Sequence, residues 1–593
     1  MSVLSDIRQN SRDFRKHWLQ YLVLFLGIDL VGQFVVIPLF RYVSTYLLQA
    51  SAIPFISYKN IVTIITTNTL IFVALLVEVI LLLIVLYLLF AFLLYGIRAI
   101  SLEEFSFKQV LGETWQTFKR VRAGSISLFT VYFLFVIPFI DIIYRTSLLS
   151  KIQVPEFILD YMTRNGFLIA ILVSFYGIVG ILGFRLILAL PLILFEQKKT
   201  WSAVKKSWQL TGSLEWWPLL VKFAVLLTMA LILLAGFYTS FYLLQLIWDV
   251  FPGKLPEILA VGNLTAIQLI SEWMLIWSAV VAVLILFKEI GLKQEQVFHS
   301  KRSKALIIAA SLTIVILVGS SIATNTMYLN GKDAKAPVVI SHRGVSAENG
   351  VQNTIPALKK TAKMKPDYVE IDLHETKDKQ FIVLHDENLK KLTGVDKTPS
   401  ELTLKQLTKL TAKENGHSAK LASFDQYLKE AEKLHQKLLI EIKTTPTDSK
   451  GMLQRFDKKY GKIILKNHDK VQSLDYRVVK GLHRLNPKLD VMYIQPYNFT
   501  YPKGSANGYS MEYSTLNSDF IWQSHVKNHP VYAWTVNDAN LMKKMMFDHV
   551  DGVITDDLPE VKTAIKDFQH NSTYANRILN YILVVPTHSE LEV

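Results

Sequence analysis

The stretch Val338-Val339-Ile340-Ser341-His342-Arg343-Gly344, followed by VSAENGVQNT, decides how this chain is read. Three apolar, β-branched residues, Val338, Val339 and Ile340, form a short buried-strand signal. The signal ends in a histidine and an arginine, which are poor core material. Beyond it, strand-like runs alternate with helical patterns. The strand candidates are PVVIS, YVEIDL, FIVLH, KLLIEIK, DVMYI, GYSMEY, VYAWTV and DGVIT. Between some of them lie the helical candidates TIPALKKTAKM, SFDQYLKEAEKL, LDYRVVKGLHRL, SDFIWQSHVKN and DANLMKKMMF. Such alternation predicts a parallel sheet with helices outside, and this number of strands suits an α/β TIM (β/α)8 barrel. A doubly wound sheet ranks second, because no glycine-rich dinucleotide fingerprint follows the first strand.

In a barrel of this kind the chemistry sits where strands end. The polar residues at those ends are His342 and Arg343, Glu370 and Asp372, His385 and Asp386, Glu441 and Lys443, Trp534, and Asp556 with Asp557. Glu370 and Asp372 are two apart on one strand and so share a face, as do Glu441 and Lys443. Three carboxylates, Glu370, Asp372 and Glu441, offer an all-oxygen site for a hard divalent cation, Ca2+ or Mg2+. Any one of them alone reads more simply as the partner of a nearby Lys or Arg. His342 and His385 can exchange protons near neutral pH as an acid/base pair. Arg343 and Lys443 add positive charge for an anionic substrate. Together these groups describe cleavage of a phosphate ester.

The remainder of the chain bounds where this happens. Of 593 residues, 51% are hydrophobic and only 19% charged, and the charge is scarce over the first 325. Seven segments are long and apolar enough to cross a bilayer: 19–40, 68–96, 125–148, 167–195, 216–248, 265–287 and 305–325. Segments 1–17, 97–123, 195–214 and 288–305 carry 4, 5, 4 and 5 Lys/Arg, whereas 41–60, 141–165 and 250–262 carry 2, 3 and 1. The basic set is assigned to the cytoplasm. Seven spans then place the N-terminus inside and the barrel outside. The net charge of +15 is accounted for largely by these flanking loops, so no nucleic-acid partner is expected. With no cysteine, disulfides, a thiolate nucleophile and a cysteine-based zinc site are excluded. SFKQVLGETWQTFKRV and TWSAVKKSWQLTGS read as interfacial helices on anionic lipid. Glu78 and Arg185 fall inside spans, where a polar contact between helices is the simpler explanation and a lipid phosphate on Arg185 the sharper one. The expected organisation is a membrane domain over 1–325, a linker over 326–336, the barrel over 337–570 and a tail over 571–593. The tail's apolar run is too short to span, and is expected to pack on the barrel or lie near the membrane surface. Nothing in the sequence sets an oligomeric state.

The ordered motifs HRG, EID, HD, IEIK, AWTVND and DGVITDD resemble those of the glycerophosphodiester phosphodiesterases over residues 337–567. The multi-span region resembles, by layout, the membrane domain fused to some bacterial members. The resemblance implies a TIM barrel that hydrolyses glycerophosphodiesters to glycerol 3-phosphate and an alcohol. It implies His342 and His385 as the acid/base pair and Glu370, Asp372 and Glu441 as metal ligands. Arg343 and Lys443 would contact phosphate, and Trp534 would line the glycerol pocket. It also implies a glycerol hydroxyl as first attacker and a cyclic phosphate then opened by water. One departure stands out. Where the family reads PENT this chain reads VQNT, which leaves the fourth ligand open between Glu348 and Gln352. Two other readings compete: a barrel that binds glycerophosphate polymer without cutting it, and a membrane half that translocates lipid or glycerophosphodiester for the barrel to process. The expected substrates are polyglycerophosphate, lysophospholipid or lipid headgroups, with membrane lipid as the surrounding partner.

Overall fold

The computed structural model describes residues 3–50, 64–66, 68–121, 123–136, 156–163, 165–212, 216–292, 304–329, 335–496, 504–570 and 573–584. From Val338 onward its strands are β1 (Val338–Ser341), β2 (Tyr368–Glu375), β3 (Phe381–Val383), β4 (Thr411–Glu414), β5 (His417–Lys420), β6 (Leu438–Ile442), β7 (Lys470–Ser473), β8 (Val491–Gln495), β9 (Gly508–Glu512), β10 (Val531–Trp534) and β11 (Gly552–Thr555). The sheet runs β1-β11-β10-β9-β8-β7-β6-β2, and a β1–β2 pairing closes it. All of these pairings are parallel. Eight parallel strands therefore form the (β/α)8 barrel.

The period of two along each strand sorts the side chains. Val369, Ile371, Leu373, Ile440, Val471, Val491, Tyr509, Val531 and Val553 face the helix layer and share its core. The opposite face puts Ile340, Leu439, Met492, Tyr532 and Ile554 together as an apolar floor inside the barrel. Glu370 and Asp372 point the same way as this floor, and Asp372 pairs in register with Glu441. The apolar layer thus gives way to a carboxylate layer at the mouth.

Three details differ from the sequence reading. FIVLH supplies β3, which pairs antiparallel to β2 and lies outside the closed barrel. The missing eighth barrel strand is β7, KVQS, a run in which Val471 alone belongs to the helix-side core. The helix Met452–Asn467 is also additional to the expected helices, its sequence being Lys-rich and carrying Gly461. Its buried face is nonetheless regular, with Met452, Phe456, Tyr460 and Ile464 at steps of four. A Cβ at Gly461 would clash with the Asp457 carboxylate and lie 3.2 Å from Asn486 Nδ2, so those side chains would have to shift.

The other compact unit comprises 1–51, 64–330 and 573–593. Among the described residues, six helices are long and apolar enough to span: Val3–Leu48, Thr69–Ser101, Gly166–Phe195, Trp217–Trp248, Leu255–Glu289 and Ser311–Leu329. Of the expected span 125–148, the helix Ala123–Val136 is described, and the remainder lies outside the described residues. The helices Phe107–Lys119 and Thr200–Leu210 leave Phe107, Leu111, Trp115, Trp201 and Trp208 exposed. Glu78 accepts a hydrogen bond from Ser44 Oγ at 2.8 Å. Arg185 donates to the Thr211 carbonyl and stacks 4.4 Å over the Trp208 ring, so it caps the helix Thr200–Leu210. Gly212 makes room for it, since a Cβ there would lie 2.7 Å from the guanidinium.

Of the tail, residues 573–584 are described, and they belong to the membrane unit. Tyr574–Val584 is a helix within the membrane unit. Ile578 packs with Ala260, Leu264, Ile267 and Leu329. Gln268 Nε2 donates to Tyr581 Oη at 2.7 Å, and the Ala575 N–H donates to Asp249 Oδ2 at 2.8 Å. Arg577, 2% exposed, donates to the Leu329 carbonyl. A run too short to span is long enough to bury one helical face.

Candidate active site

Strand β1 delivers His342 and Arg343 to the mouth, and the chain then turns sharply, with Arg343 at φ +52°. Two bonds hold that turn: Arg343 N–H donates to Glu370 Oε2 at 2.8 Å, and the Asn353 N–H donates to the Arg343 carbonyl at 2.7 Å. His342 Nδ1 lies 2.8 Å from Asp556 Oδ1, and Arg343 Nε lies 3.2 Å from His342 Nε2. A guanidinium only donates, so Nε2 is the accepting nitrogen and Nδ1–H points at Asp556. Asp556 is itself held by Asn537 Nδ2 at 3.0 Å. Burial would raise its carboxyl, but the His342 contact brings it down to about 2. It is therefore an ionised anchor at neutral pH.

His385 arrives differently. It follows β3 in a loop, fixed by the Leu384 N–H to the Asp372 carbonyl at 2.9 Å and by a 3.1 Å contact from His374 Nε2 to the His385 carbonyl. Its Nδ1 lies 2.8 Å from Asp386 Oδ1. That hydrogen bond holds Asp386 below the usual carboxylate range. Each imidazole is thus oriented by its own carboxylate. Asp386 and Asp556 were visible as strand-end acids, but no role could be read for them from sequence.

Glu370, Asp372 and Glu441 are buried, and one oxygen of each lies within 4.8 Å of the others. Lys443 Nζ sits 3.0 Å from Asp372 Oδ1 and 2.7 Å from Glu441 Oε1. Burial, then the neighbouring Asp372 and Glu441, push Glu370 well up. Asp372 goes the other way: against its burial, Lys443, His385 and Arg343 hold it far below the ordinary range. Lys443 is likewise raised by Asp372 and Glu441 against its burial. Three buried acids around one ammonium leave negative charge over. An all-oxygen donor set with surplus charge fits a hard divalent cation.

The two candidates for a fourth ligand are placed differently. Glu348 is exposed, at φ +54°. Gln352 accepts from Arg343 Nη1 at 2.9 Å and donates from Nε2 to Glu414 Oε1 at 2.6 Å. Asn353 is the residue beside the trio, donating to Asp372 Oδ2 at 2.8 Å. Trp534 ends β10 opposite Glu512, and its buried indole N–H has no partner among the described residues.

Residues 7–325 match the family model described as the membrane domain of glycerophosphoryl diester phosphodiesterase, and residues 342–560 match that of the glycerophosphoryl diester phosphodiesterase family. The chain belongs to the glycerophosphodiester phosphodiesterase family. This phosphodiesterase is 29% identical over 248 residues to YhdW of Bacillus subtilis (strain 168), covering 40% of this chain and 99% of YhdW. It is 49% identical over 63 residues to the lysophospholipase D GDPD1 of Homo sapiens, covering 11% of this chain and 20% of that protein. A glycerophosphodiester phosphodiesterase crystal structure from Parabacteroides distasonis ATCC 8503 aligns at 26% identity and a TM-score of 0.34, over 39% of this chain and 97% of that one. Members of the family generally use divalent cations, and the acidic trio is the matching feature in this phosphodiesterase.

Proposed function

We propose that this membrane phosphodiesterase hydrolyses glycerophosphodiesters, including polyglycerophosphate or lysophospholipid, to glycerol 3-phosphate and an alcohol. The observation that carries the reading is the pair of carboxylate-oriented histidines beside one buried acidic trio. His342, with Nε2 as its accepting nitrogen, serves as base toward the attacking hydroxyl. His385, oriented by Asp386, donates to the leaving oxygen. Arg343 and Lys443 receive the phosphoryl charge, and Trp534 bounds the glycerol pocket. Glu370, Asp372 and Glu441 would hold Ca2+ or Mg2+, which supplies charge stabilisation at the phosphoryl oxygens. The basic loops assigned to the cytoplasm support an extracellular barrel.

The test uses full-length protein in detergent with glycerophosphodiester, lysolipid and polyglycerophosphate, and follows glycerol 3-phosphate release. His342→Ala and His385→Ala should each lower turnover by roughly 10²- to 10⁴-fold, the usual worth of general acid/base catalysis. A chelator should abolish release, and added cation should restore it. Release unchanged by both histidine variants and by the chelator rules the mechanism out. Retained polymer binding without any release would instead mark a binding module.

A further inference from the structure

Glu414 lies outside every strand-end motif, on the last residue of β4, where it pairs with His417 across the β4–β5 hairpin. Its carboxylate is nevertheless committed to the mouth. Oε2 accepts the Gln352 backbone N–H at 2.9 Å, and Oε1 accepts Gln352 Nε2 at 2.6 Å. The hairpin is anchored for this task. Ala412 and Ala419 share an apolar cluster with Val351 and with Leu384, the residue before His385. Asn415 Nδ2 also reaches the Gly350 carbonyl at 3.4 Å.

Gln352 is buried, at 5% exposure, and its amide faces two partners of opposite demand. A carboxylate can only accept and a guanidinium can only donate. The amide nitrogen must therefore face Glu414 and the amide oxygen must face Arg343 Nη1, 2.9 Å away. No other neutral side chain of this length does both. A glutamate here would set a second carboxylate beside Glu414 with no proton between them, at a cost of like-charge repulsion.

We infer that Glu414 and Gln352 are positioning residues: the hairpin carboxylate fixes the amide, and the amide fixes the Arg343 guanidinium beside His342 Nε2, where the substrate phosphate is received. The inference rests on the function proposed above. It also gives Gln352 a purpose of its own, as the neutral link between an acid and a base.

The experiment uses the full-length protein and three readouts: the KM and kcat of glycerophosphodiester release, the affinity for inorganic phosphate by calorimetry, and the affinity for Ca2+ and Mg2+ without substrate. Glu414→Ala and Gln352→Ala should raise KM and weaken phosphate binding about tenfold, as expected for loss of one charge-assisted positioning bond. kcat should stay within about twofold, and cation affinity should not change. Gln352→Glu should be as damaging, and Gln352→Glu combined with Glu414→Gln should recover most of the loss, since donor and acceptor are then exchanged. Glu414→Gln alone, nearly isosteric, guards against a folding artefact in the alanine variant. Cation affinity that falls with Gln352→Ala would make Gln352 a ligand and overturn the inference. So would phosphate affinity indifferent to Glu414→Ala. A wild-type protein that releases no glycerol 3-phosphate defeats the proposed function alone, because the phosphate arm needs no turnover.

Discussion

Two charge clusters in this chain, one around the buried Asp6 and one at the barrel mouth, have opposite balances. In the membrane unit, Asp6 pairs with Lys288 at 2.6 Å and with Lys222 at 3.0 Å, and Lys222 pairs with Glu289 at 2.8 Å. Two acids meet two bases, and the helices beginning at Val3, Trp216 and Leu255 are tied together. At the barrel mouth, Glu370, Asp372 and Glu441 share Lys443. A balanced cluster holds itself together and has no call for a ligand. An unbalanced one stores repulsion that a cation or an anion-handling reaction can use. A third arrangement lies at the opposite end of the barrel. Asp469, 4% exposed, accepts the Leu438 N–H at 2.8 Å, and burial pushes its carboxyl up to about 7. There burial outweighs the Leu438 and Asn467 hydrogen bonds and the Lys437 charge, and favours the protonated form.

The contrast can be broken most forcefully at the mouth. Glu370→Gln removes one ionisable carboxyl from the trio and keeps an acceptor for the Arg343 N–H. Turnover should fall by at least the roughly 10- to 100-fold that even outer partners of a metal site cost, and calorimetry should show cation affinity falling with it. The cation-free variant should melt no lower than wild type, because a buried carboxyl that resists ionisation has been replaced by a neutral amide. A lower melting point would mean that the trio is structural after all.

Asp469→Asn tests this buried acid. The folded carboxyl keeps its proton to about pH 7. An unfolded one releases it near pH 4. Between those values the folded state binds the extra proton, so wild-type stability should decline as pH rises, by up to about 1.4 kcal/mol per unit. The variant should lack this decline and be more stable by about 2–4 kcal/mol at pH 8, read from denaturation curves at several pH values. Parallel curves for the two proteins would refute the assignment.

In the balanced cluster, Lys222→Ala leaves Glu289 without this partner and Asp6 dependent on Lys288. Thermal stability in detergent should drop by about 1–3 kcal/mol, with glycerol 3-phosphate release per folded molecule unchanged. The smallest effect is expected at Arg185. Arg185→Gln loses a helix cap and a cation–π contact, together about 1 kcal/mol, again with unchanged release.

Much of the site was readable because it is local in sequence. His342-Arg343, Glu370-x-Asp372 and Glu441-x-Lys443 each lie on one strand end, and the period of two assigns their faces without further information. His385 was also readable as a residue, though not its support. It hangs on the loop after an antiparallel strand, and a three-residue apolar run carries no mark of strand direction. β7 escaped because its inward residues are polar, so KVQS has neither the apolar run of a buried strand nor a clean alternation. Glu414 could not be found at all: it is 62 positions from Gln352, and nothing local links a hairpin glutamate to the mouth.

The amino-acid sequence by itself determined that this chain has an apolar multi-helix half and an alternating α/β half, and that acids, bases and histidines stand where strands stop. Composition and periodicity act over a few residues, and a bilayer or a barrel reads them directly. Only the tertiary structure decided which carboxylate orients which histidine, that Gln352 joins Glu414 to Arg343, and that the last helix docks on the membrane unit. Those are pairings between distant segments, and their energies depend on distance and burial that exist only once the chain has closed.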